Sequence, residues 1–193
     1  MLRVVKLGGS LIRAPELAHC LQGLSRANED ILLVPGGGPF ADTVRTVQQT
    51  SGISDAAAHH MAMLAMEQYG LMLCALEPGL VPADNLKSIE KALSEGATPV
   101  WLPARMCRNS PDIPENWTVT SDSLAVWIAI KMAADNLTLI KQECHTNLDP
   151  DAMALSGYVD SAFPVFAQQF GGAIHVLDMQ AATTTAPWIK QPA

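Results

Sequence analysis

The chain has 193 residues, 49% of them hydrophobic and 16% charged, and a formal net charge of -7. That length and balance exclude a disordered polymer and allow a buried core, while the acidic charge gives nucleic acid no counterion-release gain, so no nucleic-acid partner is expected. No apolar stretch reaches a bilayer span, because the longest, residues 61–76, is broken by Glu67 and Gln68, so no membrane partner is expected either.

Strand-like and helix-like segments alternate. Leu2 to Leu7 is an apolar run and ends in Gly8, Gly9 and Ser10; entry into strand sequence at the first residues is unlike a signal peptide. Residues 14–27 place Leu17, Leu21 and Leu24 on one helical face. Ile31 to Val34 is a second short strand, stopped by Pro35 and Gly36-Gly37-Gly38. A helix is expected over Phe40 to Thr50, and a long one over Asp55 to Leu76 with Ser54 as its N-cap. Asp84 to Ser94 reads as helix, Thr98 to Leu102 as strand, and Pro103 to Trp117 as a proline-rich loop. Ser121 to Ala134 reads as helix and Leu137 to Lys141 as strand. Residues 142–162 are polar and broken, with room for one helical turn. Ala173 to Asp178 is the last strand, and the tail from Ala181, which holds Pro187 and Pro192, is expected to fray.

This alternation predicts an α/β fold, with a central, mostly parallel sheet covered by helices on both faces, as one domain over residues 1–193. Cys20, Cys74, Cys107 and Cys144 are scattered, with no C-x-x-C pair. Neither a zinc site nor a disulfide framework is indicated, and a reducing cytoplasm fits.

The chemically suggestive residues fall at strand ends, where ligands of such sheets bind. In VVKLGGS, Lys6 can meet a phosphate as a point charge, and Gly8 and Gly9 let backbone amides approach one; the spacing is not that of a Walker A loop. Two glycines after a strand also mark an ordinary turn. Three glycines in LVPGGGPFAD, just before a helix, form a second candidate anion site, with a flexible loop as the plain alternative. Thr120, Ser121 and Asp122 open a helix, where an N-cap and a dipole-favoured carboxylate suffice as explanation; the sharper reading sets Asp122 between Lys6 and Lys141. Asp42 suits a hydroxyl or amine of a bound acceptor and Arg45 an anion, although both also read as exposed helix charges. Asp160, before the apolar FP-x-F string, reads as a helix cap, with contact to a nucleotide as the alternative. Of His59 and His60, one is expected to face inward, and the methionines of the long helix read as core filler. The adjacent Cys144 and His145 point apart and do not make a metal pair.

Taken in order, VVKLGGS, LVPGGGPFAD, VTSDSLAVWIA and LTLIK resemble the amino acid kinase superfamily, which includes acetylglutamate kinase, aspartokinase, UMP kinase and isopentenyl phosphate kinase. DAAAHHMAMLAMEQYG, VWLP, WTVTSDSLA and a late DSAFP are most similar to a short branch, the MfnE-like kinases of methanofuran biosynthesis and their relatives in methylotrophic bacteria. After Lys141 the string QECHTNLDP stands where the superfamily has T-D-x-x-G-V. The resemblance implies a three-layer α/β/α sandwich, a homodimer, ATP with Mg2+, and transfer of a phosphoryl group to a small-molecule acceptor such as an aminomethylfuran-methyl phosphate. It sets Lys6, Asp122 and Lys141 as catalytic, and Lys6, Gly8, Gly9, Ser10 and Lys141 on the nucleotide. Gly36, Gly37, Gly38, Asp42, Arg45, Thr120 and Ser121 are then expected on the acceptor, with magnesium held mainly by nucleotide phosphates. UMP-kinase-like or isopentenyl-phosphate-kinase-like activity, or a nucleotide-binding protein without turnover, are the competing expectations.

Overall fold

The structure is a computed structural model that describes residues 1–144, 149–186 and 188. Its centre is a six-stranded sheet, β1 (Leu2–Leu7), β2 (Asp30–Pro35), β3 (Leu80–Ala83), β4 (Thr98–Trp101), β5 (Asn136–Lys141) and β6 (Ala173–Asp178), in the order β3-β4-β2-β1-β5-β6. Every pairing is parallel. The order reverses at β1, which has β2 on one side and β5 on the other, and a crevice therefore opens beyond the carboxyl ends of these strands.

Strand alternation sorts side chains into two cores. On one face Val4, Leu32, Val34, Leu137 and Leu139 pack against α6 (Ser121–Lys131). This helix is buried from Ser121 through Ala129, which its all-round apolar sequence requires. Its Trp127 stacks on Trp101 with ring centroids 5.9 Å apart, a geometry worth about 1 kcal/mol beyond area burial. On the other face Val5, Leu7, Leu33, Val100 and Ile140 meet Leu17, Cys20, Leu21 and Leu24 of α1 (Leu17–Ser25). Tyr69 and Leu73 of α3 (Asp55–Leu76) close that core. Before α3, α2 (Gly38–Ser51) follows β2 directly.

The two long helices and five of the strands stand where sequence spacing set them, and the Ser54 hydroxyl caps α3 by accepting from the Ala57 amide at 3.2 Å. Several segments differ. Residues 9–13 form a 3-10 turn, so α1 begins only at Leu17. β3 was not foreseen, because Pro82 sits inside it; as the edge strand it can dispense with that amide. α4 (Leu86–Ser94) starts two residues later than expected because Asn85 and Ser88 form a capping box. The proline-rich loop contains a short α5 (Ala104–Cys107), whose first amide donates to Glu67 Oε1 at 2.9 Å. α6 stops at Lys131, and Ala133 turns the chain in a left-handed conformation with φ 48°. The broken segment carries α7 (Pro150–Leu155), followed by an unforeseen α8 (Phe163–Ala167). Against the expectation of fraying from Ala181, residues up to Thr184 form α9 (Met179–Thr184), held by Asp178, which accepts from the Ala181 amide at 2.7 Å; the rest of that expectation, on residues 187 and 189–193, lies outside the described residues.

Candidate active site

Lys6 pairs in register with Leu139, so Lys141, two residues further along β5, emerges on the same face of the sheet. α6 packs on that face and presents Asp122 from its first turn. The result is a buried charge cluster. Lys141 Nζ donates to Asp122 Oδ2 at 2.7 Å, and Lys6 Nζ lies 2.7 Å from Oδ1 as an ion pair of poor hydrogen-bond angle. The side chains of Lys6, Asp122 and Lys141 are 5%, 8% and 13% exposed, so the charges meet with little water between them. Lys141 also donates to the Tyr158 carbonyl at 2.8 Å and stands 5.1 Å from the Tyr158 ring.

This burial shapes the titration. The strongest single influence on Asp122 is desolvation, which pushes its pKa up, but the two lysine charges together outweigh it and hold the carboxyl below its usual range. For Lys141 burial prevails: desolvation first, then the like charge of Lys6, bring its pKa down to about 8 against the pull of Asp122.

Asp160 organises the helix that carries Asp122. Its Oδ2 accepts from the Thr120 amide at 2.9 Å, the Thr120 hydroxyl at 2.8 Å and the Ser123 amide at 3.0 Å, and Oδ1 accepts from the Ser123 hydroxyl. The N-cap residue Thr120 makes no cap bond of its own to α6, so a residue 40 positions away caps the helix.

The glycine strings face each other. A Cβ on Gly9 would lie 2.2 Å from the Gly38 nitrogen, and one on Gly36 would lie 2.4 Å from the Gly9 nitrogen. The two loops therefore touch backbone to backbone, which only glycine allows. This corrects two expectations. Gly8 and Gly36 are buried, and their amides already donate to Ile140 O and Leu7 O at 2.9 Å, so neither is free to hold an oxyanion. The amides of Gly9, Gly37 and Gly38, at the starts of the 3-10 turn and of α2, stand where helices leave donors unpaired.

Two hollows flank these loops. One, of about 450 Å³, is lined by Gly9, Ser10, Gly37, Gly38, Thr120 and Ser121, with Met63 and Met66 at its apolar side. Asp42 and Arg45 stand at its rim, ion-paired at 3.0 Å, and the Arg45 guanidinium lies 4.4 Å from the Trp117 ring centroid. The other hollow, of about 550 Å³, lies between Ser10 to Glu16 and the ends of β5 and β6, with Gln142, Glu143, Cys144 and Asp178 on its far wall. Lys6 and Lys141 line neither; their ammonium groups turn inward onto Asp122.

Sequence reasoning overlooked Trp117 and Arg13, which both line the first hollow. A lone tryptophan in the polar string ENWTV was the available signal for Trp117. Met63 and Met66 are core residues, 3% exposed, and cavity wall together. His59 is the inward histidine, its Nδ1 3.3 Å from Asn116 O, while His60 Nε2 sits 2.7 Å from Glu115 Oε1; both tie the loop before Trp117 to α3. The Cys144–His145 reading falls on His145, outside the described residues. Among the described residues no three His, Cys, Asp or Glu side chains converge as metal ligands.

The profile of the amino acid kinase family matches residues 1–143. Over 130 residues the chain is 30% identical to (5-(aminomethyl)furan-3-yl)methyl phosphate kinase of Methanocaldococcus jannaschii, covering 66% of this chain and 59% of that protein. The match thus spans about three fifths of that relative's length. The fold matches uridylate kinase from Archaeoglobus fulgidus with a TM-score of 0.68 at 15% identity, over 96% of this chain and 97% of that one. It matches UMP kinase from Bacillus anthracis with a TM-score of 0.66 at 18% identity, over 93% and 87%.

Proposed function

The chain belongs to the amino acid kinase family, and from that premise we propose that it transfers the γ-phosphoryl group of ATP to a small acceptor that already bears a phosphate or carboxylate. The observation that carries this reading is the buried Lys6–Asp122–Lys141 cluster, with both ion-pair distances at 2.7 Å, beneath the crevice where β1 meets β5. Phosphoryl transfer rests on positioning and charge neutralisation far more than on covalent help. Lys6 serves the transferring group and Lys141 the leaving-group side, while Asp122 keeps both ammonium groups poised in a dry site. Incoming phosphates compete with that carboxylate for the two cations. The Gly9, Gly37 and Gly38 amides supply fixed donors to phosphate oxygens. An anionic acceptor is itself a nucleophile and needs no general base.

Magnesium, when bound, supplies charge neutralisation on the phosphates. The carboxylates here are already engaged, Asp122 by two lysines and Asp160 by four donors. This donor set fits an ion held chiefly by the nucleotide.

The acceptor side is read as the hollow with Asp42, Arg45 and Trp117 at its rim. An aminomethylfuran-methyl phosphate, the substrate named for the Methanocaldococcus relative, matches a carboxylate for its amine, a guanidinium for its phosphate and an aromatic and thioether wall for its ring. This acceptor belongs to a methanofuran-type one-carbon cofactor route. The outer face of α3, where Leu64 and Leu71 are each 51% exposed, supports a homodimer, and the free thiols suit a reducing cytoplasm.

The test is a steady-state ATP assay of Lys6→Ala and Asp122→Asn against the wild type, on a panel of aminomethylfuran-methyl phosphate, UMP and isopentenyl phosphate. Losses of at least about tenfold, roughly 1.4 kcal/mol of transition-state stabilisation, are expected. Smaller losses remove the cluster from the mechanism, and ATP binding with no transfer to any acceptor would replace the kinase with a nucleotide-binding protein.

A further inference from the structure

We propose that Arg13 is a further catalytic residue, the cation that touches both substrates at the seam between the acceptor hollow and the second hollow, read as the nucleotide's because it lies at the carboxyl ends of β5 and β6; this rests on the kinase reading above. Arg13 and Ser10 are on the walls of both cavities, the one rimmed by Asp42, Arg45 and Trp117 and the one closed by Gln142, Glu143 and Asp178. Arg13 ends the Gly9–Arg13 turn, whose base is fixed twice: Leu11 is 2% exposed in the core, and Gly9 is wedged against Gly38. The backbone under Arg13 is therefore set, while its side chain is exposed.

Charge accounting singles it out. Two ammonium groups against the Asp122 carboxylate leave one net positive charge in the buried cluster. Arg45, read as the acceptor's guanidinium, carries Asp42 beside it at 3.0 Å, so that pair adds no net charge. Arg13 has no ion-pair partner among the described residues, although Glu16, Glu143 and Asp178 share a hollow with it. A donor triphosphate and an anionic acceptor drawn together repel each other, and one net buried cation beside the magnesium carried on the nucleotide offsets that only in part. A guanidinium presents several donors in a rigid plane and can hold oxygens of two different anions at once, which an ammonium does less well. In the transfer step the bond from the γ-phosphorus to the bridging oxygen of ATP breaks, with its electron pair leaving on ADP. A bond forms from that phosphorus to an acceptor oxygen. Arg13 takes no proton and stabilises charge on both partners.

The experiment uses the full chain with Arg13→Ala and Arg13→Lys. Dissociation constants for MgATP and for each panel acceptor are read by calorimetry, separately from turnover. Thermal unfolding of the variants should match the wild type, since the side chain is exposed. Arg13→Ala is expected to weaken both ligands at least fivefold and to cut kcat at least tenfold, with Arg13→Lys recovering only part of each. Weakening of one ligand alone, or of neither, overturns the seam role. A wild type that binds nucleotide and acceptor but transfers nothing sinks the kinase reading, while the Arg13 comparison is still decided by the two binding constants. A wild type that binds no acceptor overturns both.

Discussion

At Lys141 the two requirements of the site conflict. In the proposed mechanism the ammonium must be charged to neutralise phosphate, yet burial and the Lys6 charge bring its pKa down to about 8. It is protonated below that value and neutral above it, so kcat/KM for MgATP is expected to fall with a single proton dissociation as pH rises through about 8. Rates that stay level to pH 9.5 would show that Lys141 is not needed in its charged form. The stability consequence has the opposite sense. An unfolded lysine keeps its proton to about pH 10.4, so between about 8 and that value the unfolded chain binds more protons and folding stability rises with pH. Asp122 follows the usual carboxylate rule, its contribution present above the unfolded value and lost as pH falls through its lowered folded one. Asp160 adds to the charge that keeps Lys141 protonated, so Asp160→Asn should move the alkaline limb to lower pH, which a pH–rate series on the variant would read.

Among the elements, α6 depends on a partner outside itself. Replacing Asp160 with Ala leaves two amides and two hydroxyls without their acceptor. A cost of about 2–3 kcal/mol is expected, and for a chain of this size a melting temperature lower by about 4–12 °C, measured by calorimetry. The glycine loops give a second element-scale prediction. Gly9→Ala sets a Cβ 2.2 Å from the backbone of α2, where no side chain can yield, whereas Gly171 has nothing within 4 Å. Urea unfolding should find Gly9→Ala destabilised by about 3 kcal/mol or more and Gly171→Ala within about 0.5 kcal/mol of the wild type. Comparable stabilities for the two would mean that the loops do not bear on one another.

For the molecule as a whole, the outward stripe of α3 gives a test of assembly. Leu64 and Leu71 lie seven residues apart, two turns along one helical face, with His60 and Met61 partly exposed beside them. Leu64→Asp combined with Leu71→Asp is expected to convert a dimer into a monomer in sedimentation velocity while leaving far-UV circular dichroism unchanged; a wild type that sediments as a monomer sinks the dimer. The order of strands and helices was legible because hydrophobic period, glycine stops and the Ser54 cap are local signals, and they located β1, β2, α3 and β5 within a residue or two. β3 was missed at Pro82, which breaks a central strand but not an edge one, and α9 was missed although its cap, Asp178, is a local signal three residues before Ala181. For the site, Lys6, Asp122 and Lys141 could be singled out as charges at the ends of strands and the start of a helix. Their meeting at 2.7 Å depends on β5 lying beside β1 across a gap of more than a hundred residues. The same holds for the Asp160 cap, the wedging of Gly9 against Gly38, and the place of Arg13 and Trp117 on the cavity walls. The sequence by itself determined most of the segments that are strand or helix, though not β3, α5, α8 or α9, and which residue types stand at their ends, because those follow largely from neighbours a few bonds away. Only the tertiary structure decided which charges are buried together, which amides are already spent and which side chains face a hollow, because these depend on parallel pairing between segments that the chain keeps far apart.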